Sequence, residues 1–254
     1  MSDILIENSE GVTTVTLNRL ARKNAITASM YAELAQAVTS ANTDTACRVL
    51  LIQGHETVFS AGNDIEDFLN NPPATEDASV FAFLRAISTC EKPVLAAVCG
   101  PAVGIGATML LHCDLVYAGD NAAFSMPFVN LGLVPEAASS LMVPHLMGYH
   151  RAAEVLLMGE PFMAEAALEV GFVNRVVAPT EVNAYARTQA LKMAKKPLTS
   201  LIATKRLLKA PTQALVQQTM ATEAKLFGPM LQAPAAREAF GAFVEKRRPD
   251  FSNL

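Results

Sequence analysis

Apolar residues fall along this chain in two rhythms. Val12 to Leu17 alternates apolar and polar positions, as a strand does. Val49-Leu50-Leu51-Ile52-Gln53 and Val94-Leu95-Ala96-Ala97-Val98 are instead continuous apolar runs, which read as strands buried on both faces. Leu115-Val116-Tyr117-Ala118 reads as a fourth strand. Thr27 to Ala41, with Thr27 or Ser29 as its cap, and Val80 to Cys90, after the Pro72-Pro73 loop, read as helices. Strands alternating with helices imply right-handed crossovers and a largely parallel sheet. From Glu181 onward the pattern is helical: Glu181 to Lys195, Leu198 to Leu208, Thr212 to Phe227 and Ala235 to Lys246, punctuated by Pro197, Pro211, Pro229 and Pro234. The chain thus divides into a main α/β unit, 1–195, and a helical C-terminal region, 196–254.

Pro93 to Cys113 carries no Asp, Glu, Lys or Arg over 21 residues, long enough to span a bilayer. Gly100, Pro101, Gly104 and Gly106 interrupt it, and its period changes partway, so it reads as buried strand, glycine turn and buried helix. At 254 residues and 51% hydrophobic content the chain supplies a large core. A net charge of −4 with locally scattered Lys and Arg excludes the footprint of a nucleic-acid binder. Cys47, Cys90, Cys99 and Cys113 sit in apolar segments without a C-x-x-C pair, and read as reduced core thiols in place of a disulfide framework or zinc site. The N-terminus, Met1-Ser2-Asp3-Ile4, has no basic and apolar leader, so the expected location is the cytoplasm.

Two features carry candidate chemistry. Strands Val49–Gln53 and Val94–Val98 each lead into a turn of small residues, Phe59-Ser60-Ala61-Gly62-Asn63-Asp64-Ile65 and Gly100-Pro101-Ala102-Val103-Gly104-Ile105-Gly106. Such turns let a ligand approach free backbone N–H groups, and two converging turns would form an oxyanion hole; glycines that merely permit close packing are the other reading. Glu136 is the only formally charged side chain between Asp120 and Arg151. Burial would raise its pKa toward that of an acid–base catalyst; alternatively, Pro135 opens a helix running into Ala137 to Leu141 and Glu136 is a first-turn acid. Gly104-Ile105-Gly106 lacks the third glycine of a dinucleotide fingerprint, and no Walker motif or Gly-x-Ser-x-Gly occurs. Ser60, Ser139 and Ser140 remain conceivable nucleophiles, while His55, His112, His145 and His150 lack metal-site spacing.

Asn18-Arg19 with Asn24-Ala25, the Phe59 to Ile65 turn, the run from Ala97 to Gly106 ending in Cys113-Asp114, Gly159-Glu160 with Ala164-Glu165-Ala166, Gly171, and Val173-Asn174 together resemble the crotonase, or enoyl-CoA hydratase/isomerase, superfamily. The likeness extends to Phe243-Val244-Glu245-Lys246-Arg247-Arg248-Pro249. It implies a crotonase-like β-β-α spiral core with a helical C-terminal trimerisation region, a homotrimer or dimer of trimers, and an acyl-CoA thioester substrate. Coenzyme A is then part of the substrate, and no separate cofactor or metal is expected. The resemblance also implies an oxyanion hole from the N–H groups of Ala61 and Ile105. Lys23, Ala25, Asn63, Asp64 and Ile65 are then expected along the CoA, and Phe243 and Lys246 at a neighbour's ligand. The two hydratase glutamate positions correspond here to Thr108 and Phe128. Leu133-Val134-Pro135-Glu136-Ala137-Ala138-Ser139-Ser140 is similar instead to the peroxisomal-type Δ3,Δ2-enoyl-CoA isomerases, where a lone glutamate is the base, and Glu136 falls at that position. Hydration, thioester hydrolysis and non-catalytic acyl-CoA binding are the competing expectations. The C-terminal Ser252-Asn253-Leu254 lacks the lysine of a peroxisomal Ser-Lys-Leu address.

Overall fold

The computed structural model describes residues 2–71 and 78–254; the Pro72-Pro73 loop lies outside them. Strands β1 (Ile4–Ser9) and β2 (Val12–Leu17) form an antiparallel hairpin, followed by helix α1 (Ala28–Thr43) and strand β3 (Val49–Gln53). The Thr27 hydroxyl caps α1 by accepting the Met30 N–H. Then come α2 (Ile65–Asn70), α3 (Ser79–Thr89), β4 (Val94–Val98), β5 (Pro101–Val103) and α4 (Ile105–Thr108). The chain continues through β6 (Leu115–Gly119), β7 (Ala123–Ser125), α5 (Ser139–Met147), α6 (Tyr149–Ala153), β8 (Phe162–Met163), α7 (Ala164–Glu169) and β9 (Arg175–Val177). Helices α8 (Val182–Ala194), α9 (Leu198–Lys209), α10 (Gln213–Leu231) and α11 (Pro234–Val244) complete it.

The six-stranded sheet has the order β1-β2-β3-β4-β6-β9, parallel except for β1 against β2; β5, β7 and β8 form a second, smaller sheet. Successive units β4-β5-α4 and β6-β7 climb between the two sheets, giving the expected β-β-α spiral. Of the nine strands among the described residues, four were legible, β2 as an alternation and β3, β4 and β6 as apolar runs. β1 buries only Ile4, and β5, β7, β8 and β9 have three residues or fewer, too short for a period to show.

Both faces of the main sheet are covered, which is why β3 and β4 are apolar throughout. Leu50, Ile52, Ala96 and Val98 enter the large core shared with α1 and α3, while Val49, Leu51, Leu95 and Ala97 face α8. That helix meets the sheet through Val182, Ala186, Ala190 and Ala194, a stripe at every fourth residue whose small side chains allow close approach. The segment from Pro93 to Cys113 resolves into β4, β5, α4 and a 3-10 turn, and no helix among the described residues is long and apolar enough to cross a membrane. Cys47, Cys90 and Cys99 are buried and unpaired, with Cys113 half-buried. At the carboxyl end, Phe227, Leu231, Ala236 and Phe240 of α10 and α11 join the large core, so these helices fold back over their own chain.

Candidate active site

The two glycine turns lie side by side. Val103 N–H donates to Ser60 O at 2.9 Å and Ser60 N–H to Pro101 O at 3.0 Å, tying the loop before α2 to β5. Gly62 takes φ +90° with Val103 O 2.9 Å from where a Cβ would stand, and Gly104 takes φ 54°, ψ −121°, a conformation open essentially to glycine alone. These bends decide which amides are left over. Ala61 N–H, expected in the oxyanion hole, donates to Lys23 O at 3.0 Å and is therefore occupied. Gly62 N–H donates to the Ser60 hydroxyl and Asp64 N–H to Ile26 O. Between them Asn63 N–H, like Ile105 N–H at the start of α4, donates to no acceptor among the described residues, and both residues line one cavity. The sequence pattern located the turn, but the amide it leaves unengaged is that of Asn63 and not of Ala61, because the Lys23 carbonyl that takes up Ala61 lies on a distant loop.

Glu136 enters from the other side. It does not begin a helix: Ala137 and Ala138 both have left-handed backbones, at φ 60° and 56°, and α5 starts only at Ser139. Left-handed alanines cost about 1–2 kcal/mol each, so the surroundings must impose them. Ser139 N–H and hydroxyl both donate to Glu136 O, and His112 Nε2 lies 2.9 Å from Ala137 O as its donor. Burial lowers the pKa of His112 to about 4, which keeps the ring neutral.

The Glu136 carboxyl accepts the Thr108 hydroxyl at 2.8 Å. Its pKa is pushed up to about 7, chiefly by burial, with the Thr108 hydrogen bond holding it down and the negative charge of Glu223 adding to the rise. Thr108 stands one turn after Ile105 on α4, so a single short helix carries both the free amide and the hydroxyl partner of the acid. Tyr31, buried on α1, donates to Asn63 Oδ1, and its own hydroxyl is held well above the usual pKa by burial and by Glu136. The phenol therefore stays protonated and fixes the turn that presents Asn63 N–H.

An inner cavity of about 420 Å³ is walled by Phe68, Leu84, Met220 and Phe227 and contains Glu136. An outer groove of about 620 Å³ passes Lys23, Ala25, Asn63, Ile65 and Ile105. The two share Asn63, Phe68 and Phe227, so the free Asn63 amide sits at their junction. Asp64 also lines the groove, but its carboxylate is engaged by Arg19 at 2.7 Å and caps α2 through Asp67 N–H. Burial alone would raise its pKa; Arg19 and the cap outweigh this and hold it below the usual range. Phe243 lines the outer groove of its own chain, and Lys246 lines neither cavity. The candidate serine hydroxyls are engaged as donors: Ser60 to Asn24 O, Ser139 to Glu136 O and Ser140 to Glu223.

Sequence reasoning missed Tyr31, His112, Glu223 and Phe227. A signal existed for Glu223, which interrupts the apolar stripe Val216, Met220, Phe227 and Leu231 of α10 at helical spacing. None existed for Tyr31, which reads as one more core residue of α1.

A family model described as enoyl-CoA hydratase/isomerase matches residues 7–253. The chain is 32% identical over 252 residues to a 2,3-dehydroadipyl-CoA hydratase of Escherichia coli, covering 99% of both proteins. It is 38% identical over 180 residues to a peroxisomal enoyl-CoA delta isomerase 3 of Mus musculus, covering 68% of this chain and 56% of that protein. The crystal structure of an enoyl-CoA hydratase/isomerase from Pseudoalteromonas atlantica superposes with a TM-score of 0.94 at 39% identity, over 99% of this chain and all of the other. With the spiral fold, paired turns and buried acid already in place, a match of this length makes the protein a member of the enoyl-CoA hydratase/isomerase, or crotonase, family: an enzyme of acyl-CoA thioesters.

Proposed function

We propose that the protein moves the double bond of a 3-enoyl-CoA to the 2-position, with Glu136 as its single acid–base group. The observation that carries this reading is the state of the carboxyls at the inner cavity. Burial raises the pKa of both, that of Glu136 to about 7, but the Glu136 carboxyl accepts the Thr108 hydroxyl alone, whereas Glu223 has both oxygens committed to Ala138 and Ser140. Hydration uses a second acid–base group to hold and split water; Thr108 and Phe128 stand where the resemblance expects that pair. An isomerase needs one group that takes a proton and gives it back.

The thioester carbonyl oxygen accepts the N–H groups of Asn63 and Ile105. Glu136 removes a proton from C2, the C2–H electron pair forms a C1–C2 double bond as the carbonyl π pair moves onto the thioester oxygen, and the resulting dienolate keeps its C3–C4 double bond. The oxygen's pair then re-forms the carbonyl, the C1–C2 pair shifts to C2–C3 and the C3–C4 pair takes the same proton from Glu136 at C4, leaving the enzyme unchanged. Phe68, Leu84 and Phe227 keep bulk water from the intermediate. CoA lies in the outer groove along Lys23, Ala25 and Ile65, with Phe243 at its rim.

The test is a coupled assay of 3-enoyl-CoA and 2-enoyl-CoA of several chain lengths, with free CoA and 3-hydroxyacyl-CoA followed separately. Glu136→Gln is expected to lower isomerisation by about 10³-fold or more while the protein stays folded; unchanged turnover would sink the reading. The full-length likeness to a hydratase favours hydration as the second reading, and net formation of 3-hydroxyacyl-CoA from 2-enoyl-CoA would establish it.

We further propose that the protein assembles as a homotrimer or a dimer of trimers. Leu207 and Leu208 of α9 are 75% and 76% exposed, surface that association would cover. Light scattering should give a multiple of three protomers, and Leu207→Glu with Leu208→Glu should reduce it.

A further inference from the structure

Glu223 is a buried carboxylate for which the acid–base cycle has no use. It is 6% exposed on α10, and both its oxygens point at the segment that follows Glu136. Oε2 accepts Ala138 N–H at 2.6 Å; Oε1 accepts Ser140 N–H at 3.0 Å and the Ser140 hydroxyl. The N-cap residue of α5 is Ala138, which has no side chain able to cap, so this duty falls to a residue 85 positions away. The same bonds hold Ala138 in the left-handed region that alanine disfavours, while His112 holds the preceding carbonyl.

We propose that Glu223 is a positioning residue for Glu136: by clamping the left-handed Ala137–Ala138 pair from α10, it fixes the direction in which the Glu136 side chain enters the inner cavity and meets Thr108. This rests on the reading of Glu136 as the acid–base group. The seating of a C-terminal helix and the seating of the acid are then one event, so an enzyme with α10 undocked lacks an aligned acid as well as a cavity wall. Glu223 also adds negative charge beside Glu136. The other polar groups around the pair are Tyr31 from α1, Thr108 from α4, His112 from the turn after it, Ser140 from α5, and Arg85 and Lys225, which line the same cavity from α3 and α10.

Three measurements test this. Glu223→Gln should lower kcat for 3-enoyl-CoA isomerisation at least about tenfold with KM within about twofold, since CoA binds in the other cavity, and should move the acid limb of the kcat/KM profile to lower pH. Adding Ala138→Gly to Glu223→Gln should restore several-fold of the lost kcat, because glycine enters the left-handed region without strain; a residue that only packed α10 would show no such rescue. An infrared titration of the carboxyl band absent in Glu136→Gln should give a midpoint near 7 in the parent, and a lower one in Glu223→Gln. An unchanged kcat and unchanged midpoint in Glu223→Gln overturns the proposal, as does a loss of kcat that follows loss of folded protein and that glycine does not relieve. If Glu223→Gln does not fold, Ser140→Ala, which removes one donor of the clamp, should reproduce the kcat effect in smaller degree, and parental kcat there overturns the proposal. If the parent isomerises nothing yet the band moves, the clamp stands and the isomerase reading falls; if the parent is active and Glu223→Gln matches it in rate and band, the reverse holds.

Discussion

Thr108 donates to Glu136 Oε1 at 2.8 Å, and this one hydroxyl opposes the rise that burial imposes on the acid. A hydrogen bond to a charged acceptor contributes about 1.5–3 kcal/mol, whose lower end corresponds to about one pH unit when it favours only the ionised form. Thr108→Val keeps the shape and deletes the donor, so the Glu136 carboxyl should titrate above its value of about 7. Because the base must be ionised to take the C2 proton, the acid limb of kcat/KM should move up by about one pH unit. Rates measured from pH 5 to 9 should then fall by the largest factor below pH 7 and recover at the alkaline end. Thr108→Val and Glu223→Gln thus shift the same limb in opposite directions.

Helix α9 is held to the sheet by an ionic contact between a buried lysine and a solvent-accessible aspartate. Lys205, 6% exposed, donates to Asp114 Oδ2 at 2.6 Å and to Lys92 O at 2.8 Å, beneath the ends of β4 and β6. Lys92 is itself buried, with its ammonium on Asp44 O and Cys47 O. Asp114 is solvent-accessible and also accepts Val94 N–H, so Lys205→Ala strands no charge but loses the bonds of a buried ammonium, and should destabilise the protein by about 1.5–3 kcal/mol in urea unfolding. The helices beyond α9 dock differently, through aromatic contacts: Phe68 meets Phe227 and Phe240 edge-on at 6.5 and 6.4 Å. A helix pinned by one ionic pair thus leads into two whose apolar faces complete the site.

For the molecule as a whole, two buried groups tilt stability against pH in opposite senses. Glu136 holds its proton up to about pH 7 in the folded state against an ordinary 4.5, so between those values folding retains a proton that the unfolded chain releases, and stability falls as pH rises. His112 titrates at about 4 when folded against 6.5, so between those values the unfolded chain binds the extra proton and stability rises with pH. The two contributions offset each other over the shared window. Glu136→Gln removes the first alone: its melting temperature should match the parent near pH 4 and exceed it increasingly toward pH 7, by an amount corresponding to about 2–3 kcal/mol. A stabilised but inactive variant is the expected signature of an acid kept where folding disfavours it.

The sequence by itself determined the central strands, the helices that flank them, the helical C-terminal region, both glycine turns and the isolation of Glu136. Burial on both faces makes β3 and β4 uniformly apolar, a turn lacking a Cβ must be written as glycine, and a lone acid in an apolar run is visible without coordinates. Only the tertiary structure decided which amide is free. Ala61 and Asn63 are alike in sequence, and the Lys23 carbonyl that engages the first is remote along the chain. It likewise decided that Glu136 precedes its helix, since nothing in Ala137-Ala138 announces a left-handed backbone that the distant Glu223 and His112 hold in place. Hydrogen-bond occupancy depends on what arrives from elsewhere in the fold, whereas periodicity and glycine record only what each segment requires of itself.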